Sequence, residues 1–245
     1  MSDYKKGIGY RYIQETKYGL GVPFSNDLGY IERPSTFKTY PNVAKFDLPK
    51  PDLHYEASIW ECLARRRSVR DYTPTPLTLN PLSSLLWATQ GVTLASTHFF
   101  YRTAPSAGAL YPIETYVWIN HVEGIERGIY HLNVVDFGLE AIAIGNFSEE
   151  MTKGALGQSA VRRAAVVFVW TAVILRSMHK YRNRAIRYIF MDAGHVCQNL
   201  QLGATALNIG SCPIGAFYDD EINRLIQVDG EEETAIYLAT VGKIG

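Results

Sequence analysis

The apolar positions of this chain change period several times, and each change marks an element. Over residues 185–208, Ile186, Ile189, Phe190, Ala193, Val196, Cys197, Leu200, Ala204 and Leu207 recur at steps of three and four. That is the spacing of one helical face, here a wide one. Ala193, Gly194, Gly203, Ala204 and Ala206 leave room for another helix to approach, and Gly210 follows as the expected terminator. Shorter helices are predicted over residues 58–66 and 219–227. A third runs from an N-cap at Asn80, with Pro81 in the first helical position, to Gly91. Residues 115–120 and 128–134 read as strands joined by a Glu- and Gly-rich connection. Residues 164–171 form a continuous β-branched and aromatic run, suited to a strand buried on both faces. A last strand is predicted over 234–242. Helices and strands mix without regular alternation, which predicts an α+β sheet packed between helices. Residues 1–55 are rich in Tyr, Pro, Gly and Lys and only weakly periodic, so they are expected to form an irregular arm over a main body of residues 56–245.

Composition narrows the function classes. The chain has 245 residues, 47% of them hydrophobic, enough for a full core. Its 24 basic and 24 acidic residues balance, which argues against a nucleic-acid groove. Cys62, Cys197 and Cys212 show no paired spacing, as expected for a reducing cytoplasm, with Cys197 in the core. The first ten residues lack the apolar segment of a secretory signal. The longest apolar run, residues 164–175, falls short of the roughly 20 residues that span a bilayer. A cytoplasmic protein without a membrane partner is the expectation. His54, His98, His121, His131, His179 and His195 are too scattered to suggest a metal site. His195, in the middle of a helix, is expected to be a hydrogen-bonded core residue.

Three segments carry candidate chemistry. Arg65, Arg66, Arg67, Ser68 and Arg70 gather four arginines and a serine into six positions of a neutral chain. Guanidinium forks fit phosphate oxygens in pairs, so one small anion is a natural partner; a solvated basic helix end explains the cluster equally simply. Next, Pro105, Ser106, Ala107 and Gly108 precede a strand, and their small size lets backbone lie against a flat ligand. An ordinary strand-entry loop has the same composition. The third segment spans residues 210–217, where Pro213 and Gly215 constrain a loop able to offer a backbone N–H. No dinucleotide glycine motif, Walker loop or His-Glu-x-x-His occurs.

Together these segments resemble the nitroreductase family of flavin enzymes. Arg66-x-Ser68-x-Arg70 is similar to that family's Arg-x-Ser-x-Arg/Lys element, and Pro213-Ile214-Gly215 to its flavin-facing loop, with Gly215 where an acidic residue is usual. A closer likeness lies in one branch. Pro105-Ser106-Ala107-Gly108-Ala109-Leu110-Tyr111-Pro112 with Glu114, and Asp192-Ala193-Gly194-His195, resemble the SagB-type dehydrogenases, which include oxidases of peptide azolines. Thr16-Lys17-Tyr18 and Phe37-Lys38-x-Tyr40-Pro41 of the arm fit the same pattern. The resemblance implies a nitroreductase fold with a mixed central sheet, and a homodimer with FMN at its interface. It implies that Arg66, Arg67, Ser68, Arg70, Lys243, residues 105–108 and residues 213–215 hold the FMN. It also matches Lys180 and Tyr181 to the branch's catalytic pair, which assists proton removal. A polar loop and a bare surface lysine remain the plain readings of Lys180-Tyr181 and Lys243. The expected substrate is a small molecule or peptide. The rivals are an NAD(P)H-dependent reductase of nitroaromatics or quinones and a flavin-binding partner without turnover.

Overall fold

The computed structural model describes residues 3–21, 28–96 and 100–245; His98 lies outside them. Alternating side chains build its centre. Every position of β4 (Ile113–Ile119) is buried. Ile113, Val117 and Ile119 join one apolar cluster, and Tyr116 and Trp118 join a second on the opposite face. β7 (Val166–Val173) repeats the division, with Val166, Phe168, Trp170 and Ala172 on one side and Val167 and Val169 on the other. Strands apolar on both faces belong between two layers.

β1 (Lys45–Asp47), β5 (Gly128–Asn133), β6 (Gly138–Ile144), β8 (Ile209–Ile214) and β9 (Glu233–Lys243) complete a seven-stranded sheet of order β1-β6-β5-β4-β7-β9-β8. The sheet was expected to be mixed, but all of its ladders are antiparallel. β4, β5 and β6 form a meander through short connections, and β9 returns between β7 and β8. Parallel pairing is limited to isolated bridges, Ser68 with Ser211 and Leu77 with Val122. β2 (Val92–Ala95) and β3 (Phe100–Arg102) pair separately.

One face of the sheet is covered by α3 (Leu79–Gln90) and α7 (Ala185–Ala206), through Leu82, Leu85, Leu86, Ile189, Val196 and Leu200. The expected close approach occurs at Gly203, where an added Cβ would lie 3.3 Å from Leu85 and 3.5 Å from Ala88. The other face is covered by α4 (Ser148–Gly154), α5 (Ser159–Arg163) and α8 (Asp219–Ile226). α2 (Ile59–Arg65) is capped by Ser58, whose hydroxyl accepts from the Glu61 N–H.

Five local expectations are corrected. α3 starts after Thr78, so Pro81 is its third residue; an N–H is dispensable there too, because the first turn has no intrahelical acceptor. Gly210 does not end α7. Asn208 takes φ +54°, which asparagine tolerates better than most residues, and residues 209–214 continue as an edge strand rather than a loop. Pro213 fits there because an edge strand spares ladder donors. His195 is exposed on α7, not in the core. The arm contains α1 (Ile8–Glu15), which weak periodicity did not reveal.

The arm is tied in by a buried polar network. Glu114 of β4 pairs with Arg176 at 2.5 Å and His131 at 3.1 Å, and the other ring nitrogen of His131 meets Glu140 at 3.0 Å. Arg176 also donates to the Ser35 carbonyl at 2.6 Å. The Tyr40 N–H donates to Glu140, the Tyr40 and Tyr116 hydroxyls pair at 2.8 Å, and Lys38 reaches Glu233 at 2.5 Å.

Burial alone would raise the pKa of Glu114, but the bond from His131 and the charges of Arg176, His131 and Arg102 hold it down to about 2. An unfolded glutamate titrates near about 4.3. Glu114 therefore contributes stability that is fully present above the unfolded value and is lost as pH falls toward about 2. Glu114→Gln should flatten that part of an acid-unfolding curve followed by circular dichroism. At neutral pH it should cost roughly 3–5 kcal/mol in urea unfolding, because Arg176 is left buried without its carboxylate.

Candidate active site

Two strained turns meet at the centre of this site. The first is the loop entering β4, where Gly108, Ala109 and Tyr111 have φ of +65°, +52° and +48°. Non-glycine residues held this way cost on the order of 1–3 kcal/mol each and persist only where neighbours impose the conformation. Asp192 of α7 does so here. Its carboxylate accepts from the Ser106 hydroxyl at 2.6 Å and the Ala107 N–H at 3.2 Å, and the Ser106 hydroxyl in turn accepts from the Tyr111 N–H at 2.9 Å. Burial pushes the pKa of Asp192 up against the downward pull of these donors. On the far side the Arg102 N–H donates to the Tyr111 hydroxyl, and the Arg102 guanidinium lies 4.6 Å from the Tyr111 ring centroid.

The second turn ends α6 (Leu175–Tyr181), whose last residues are Lys180 and Tyr181. Arg182 follows with φ +50° and ψ −143°. A Cβ built on Gly108 would lie 2.6 Å from the Tyr181 hydroxyl and 2.8 Å from the Lys180 ammonium nitrogen. Both polar heads thus rest where a side chain on residue 108 would be. The Lys180 nitrogen also lies over the Tyr181 ring, 5.2 Å from its centroid. Residues 105–108 and Lys180-Tyr181, 70 or more positions apart in the chain, are one constellation.

The arginine segment lies against β8. The Val69 N–H donates to the Ser211 carbonyl at 2.9 Å, beside the Ser68–Ser211 bridge. The Tyr72 hydroxyl anchors the segment on Val69 and Thr240. Ser68 and Arg70 thereby sit next to Cys212, whose pKa burial raises and Arg70 and Ser68 lower. Pro213, Ile214 and Gly215 follow directly, and Gly215 opens onto free space. Lys243, at the end of β9, pairs with Ile209 of β8, and its carbonyl accepts from the Thr73 N–H.

The four arginines divide. Arg65 is spent on Glu61 and the Asn208 side chain. Arg67 turns back onto the carbonyls of Ala64 and Arg66. The guanidinium groups of Arg66 and Arg70 make no hydrogen bond or ion pair among the described residues. Those two are available to an anion such as a phosphate, and Gly215 leaves backbone open to a flat ring, whereas the space at Gly108 is taken by Lys180 and Tyr181. Among the described residues no cluster of three or more His, Cys, Asp or Glu could hold a metal, and no helix is long and apolar enough to cross a membrane.

Residues 63–243 match the nitroreductase family model. The chain belongs to the nitroreductase family. It is 36% identical over 197 residues to a protein of Methanocaldococcus jannaschii named for the same family, covering 80% of this chain and 96% of that one. Two bacterial processing proteins also match. The trifolitoxin-processing protein TfxB of Rhizobium leguminosarum is 31% identical over 55% of this chain and 38% of its own. The microcin B17-processing protein McbC of Escherichia coli is 26% identical over 52% and 49%. A solved nitroreductase-type structure from Anabaena variabilis superposes with TM-score 0.77 and 27% identity, over 96% of this chain and 47% of that one.

Asp192 and Arg176 are the residues whose roles sequence reasoning missed. Asp192 was legible only as part of a quoted motif, and its signal was an acidic residue on the apolar face of a long helix. Asp192→Ala leaves the Ser106 hydroxyl and the Ala107 N–H without their acceptor. It should cost about 1–3 kcal/mol and raise amide hydrogen exchange selectively across residues 105–111, measurable by mass spectrometry.

Proposed function

We propose that this nitroreductase-family protein is an FMN-dependent oxidoreductase of the SagB type that dehydrogenates azoline rings in peptides. The observation that carries this reading is the seat of Lys180 and Tyr181 on Gly108. An amine and a phenol held together beside a loop of small residues suit removal of a carbon-bound proton. The likeness to proteins that process trifolitoxin and microcin B17 favours a peptide substrate over a free nitroaromatic.

The residues present fit FMN. Arg66 and Arg70 carry the uncommitted guanidinium groups that a phosphate and a polar ring edge call for, with Ser68 between them as a hydroxyl donor. Lys243 adds a cation near the same strand ends. Arg67 is the poorest fit of the set, since its guanidinium is already engaged. Residues 213–215 supply backbone that can lie close to a flat ring, with Gly215 open, while residues 105–108 would face the ring through Lys180 and Tyr181, which fill the space at Gly108. When bound, FMN supplies a two-electron acceptor. Lys180 takes the proton from the ring carbon of the substrate, and Tyr181 fixes and polarises the same group. Asp192 keeps the facing loop in register.

Ile59, Trp60 and Leu63 of α2 and Phe190 and Met191 of α7 are exposed, Trp60 by 77%. The two helices pack on each other, so this apolar surface suits a second copy and the expected homodimer. Three free, buried cysteines suit a cytoplasmic setting. The rival NAD(P)H-dependent nitro or quinone reductase draws its support from the M. jannaschii relative, which this chain matches almost end to end.

The purified protein should be yellow with non-covalent FMN. Arg66→Ala should weaken FMN binding by roughly 1.5–3 kcal/mol, the value of a hydrogen bond to a charged group. Arg65→Ala should do far less, because Arg65 already serves Glu61 and Asn208. Quenching of flavin fluorescence on titration reads both; equal small losses would return the cluster to a basic helix end.

Lys180→Ala should slow anaerobic reduction of bound FMN by a thiazoline peptide by roughly 10²- to 10⁴-fold, the range of general-base help. Reduction by NADPH should be unchanged in the same stopped-flow experiment. If NADPH reduces the wild-type flavin and no azoline does, the reductase reading replaces this one.

A further inference from the structure

The strained turn after Tyr181 is held from the N-terminal arm. Arg182 occupies a conformation that non-glycine residues keep only under outside constraint. Asn183, Arg184 and Arg187, just beyond it, each meet the arm. The Tyr12 hydroxyl donates to the Asn183 carbonyl at 3.1 Å. Arg184 donates to the Thr16 carbonyl at 2.6 Å, and Arg187 to the Thr16 hydroxyl at 2.8 and 2.6 Å and to the Ile13 carbonyl at 2.5 Å. Thr16 is buried, whereas no residue of α1 is. The arm's helix therefore adds little to the core. Its specific contacts converge on the segment that follows Lys180 and Tyr181.

A path then leads back to the site. Arg184 lies over the Tyr18 ring, 4.3 Å from its centroid, and donates to the Tyr188 hydroxyl at 3.0 Å. The Tyr188 ring meets the Tyr181 ring edge-on, with centroids 4.7 Å apart at 66°. Burial works to raise the pKa of Tyr188, but the bonds from Arg184 and Tyr18 hold it below the usual phenol value.

We infer that residues 12–18 are a positioning element of the active site. Through Arg184 and Tyr188 they fix the Tyr181 ring, and with it the seat of Lys180 and Tyr181 on Gly108. This rests on the reading of Lys180 and Tyr181 as the reacting pair. The arm residues touch neither substrate nor cofactor in this scheme; they act through Tyr181.

The test uses the full-length protein loaded with FMN and carrying 3-fluorotyrosine at position 181. Three variants are compared with wild type: Tyr188→Phe, which keeps the ring, Thr16→Val, which removes only the hydroxyl, and Thr16→Ser, which keeps it. Tyr188→Phe and Thr16→Val should shift or broaden the fluorine resonance. With a thiazoline peptide they should lower kcat about tenfold, a part of the roughly 10²–10⁴ that the base contributes, while KM and reduction by NADPH stay as in wild type. Thr16→Ser should restore both readouts. A wild-type resonance and wild-type kcat in Tyr188→Phe would overturn the inference, as would failure of Thr16→Ser to restore either. Should Thr16→Val not fold, Tyr12→Phe, which removes only the hydroxyl that donates to the Asn183 carbonyl, is read in its place by the same criteria. Should wild type oxidise no azoline, the proposed substrate is wrong but the fluorine spectra still judge the positioning: altered resonances uphold it and unchanged ones end it.

Discussion

The buried ion pair of Glu114 and Arg176 is the constraint on which the site depends. Removing two charges from water is expensive, and the cost is met only where good geometry and further hydrogen bonds satisfy both groups. Arg176 meets that condition by also donating to the Ser35 and Tyr111 carbonyls. Glu114 meets it through His131. Each of these bonds joins a different part of the chain. Arg176 opens α6, Tyr111 ends the strained loop, Ser35 belongs to the arm, and Glu114 and His131 belong to the sheet. The beginning of α6 is therefore fixed against loop, arm and sheet together, and its far end carries Lys180 and Tyr181. A swap to apolar residues of similar volume would spare the desolvation cost but would lose the three-way register.

The strain in the two turns follows from the same arrangement. Gly108 suits this place because its φ is +65° and two polar heads rest in the space of a side chain, and Ala109 and Tyr111 share positive φ along the same tight path. Asp192 imposes the path from α7, and Arg176 imposes it from α6. Loop, helix end and long helix are thus mutually determined, and displacing any one of them moves the others.

The layers were legible in the sequence, and the couplings were not. Runs of β-branched and aromatic residues located β4, β7 and β9 to within a few residues, and steps of three to four located α7, because burial writes itself into local composition and spacing. β6 and α1 escaped notice: β6 carries Glu140 among small apolar residues, and α1 buries nothing. The end of α7 was misplaced because Asn208, not Gly210, takes the left-handed turn. The arginine cluster was visible as a cluster. Which arginines remain free depended on Glu61, Asn208 and two backbone carbonyls, and of these only Glu61 stands at a spacing that reads as a partner. The network of Glu114, His131, Glu140 and Arg176 joins residues up to 62 positions apart. Its local signs were charged residues inside largely apolar strands, Glu114 in β4 and Glu140 in β6.

The family model matches from residue 63, so the arm lies outside the part that the family model describes. Yet in this chain Tyr12 and Thr16 meet the segment that follows Tyr181, Ser35 meets α6 through Arg176, Tyr40 meets Glu140 and Tyr116, and Lys38 meets Glu233. A fold that only needed to seat a flavin would gain little from such contacts, since the arginine segment and β8 are anchored separately through Tyr72. What the arm does reach is the α6–α7 turn and the buried network behind the loop. The division of labour is thus spatial. The common core carries Arg66, Arg70 and Gly215, and the arm contacts the turn that follows Lys180 and Tyr181, the pair proposed to meet a substrate. On the proposed function, sequence change in the arm would act on the reacting pair rather than on the residues that would hold the cofactor.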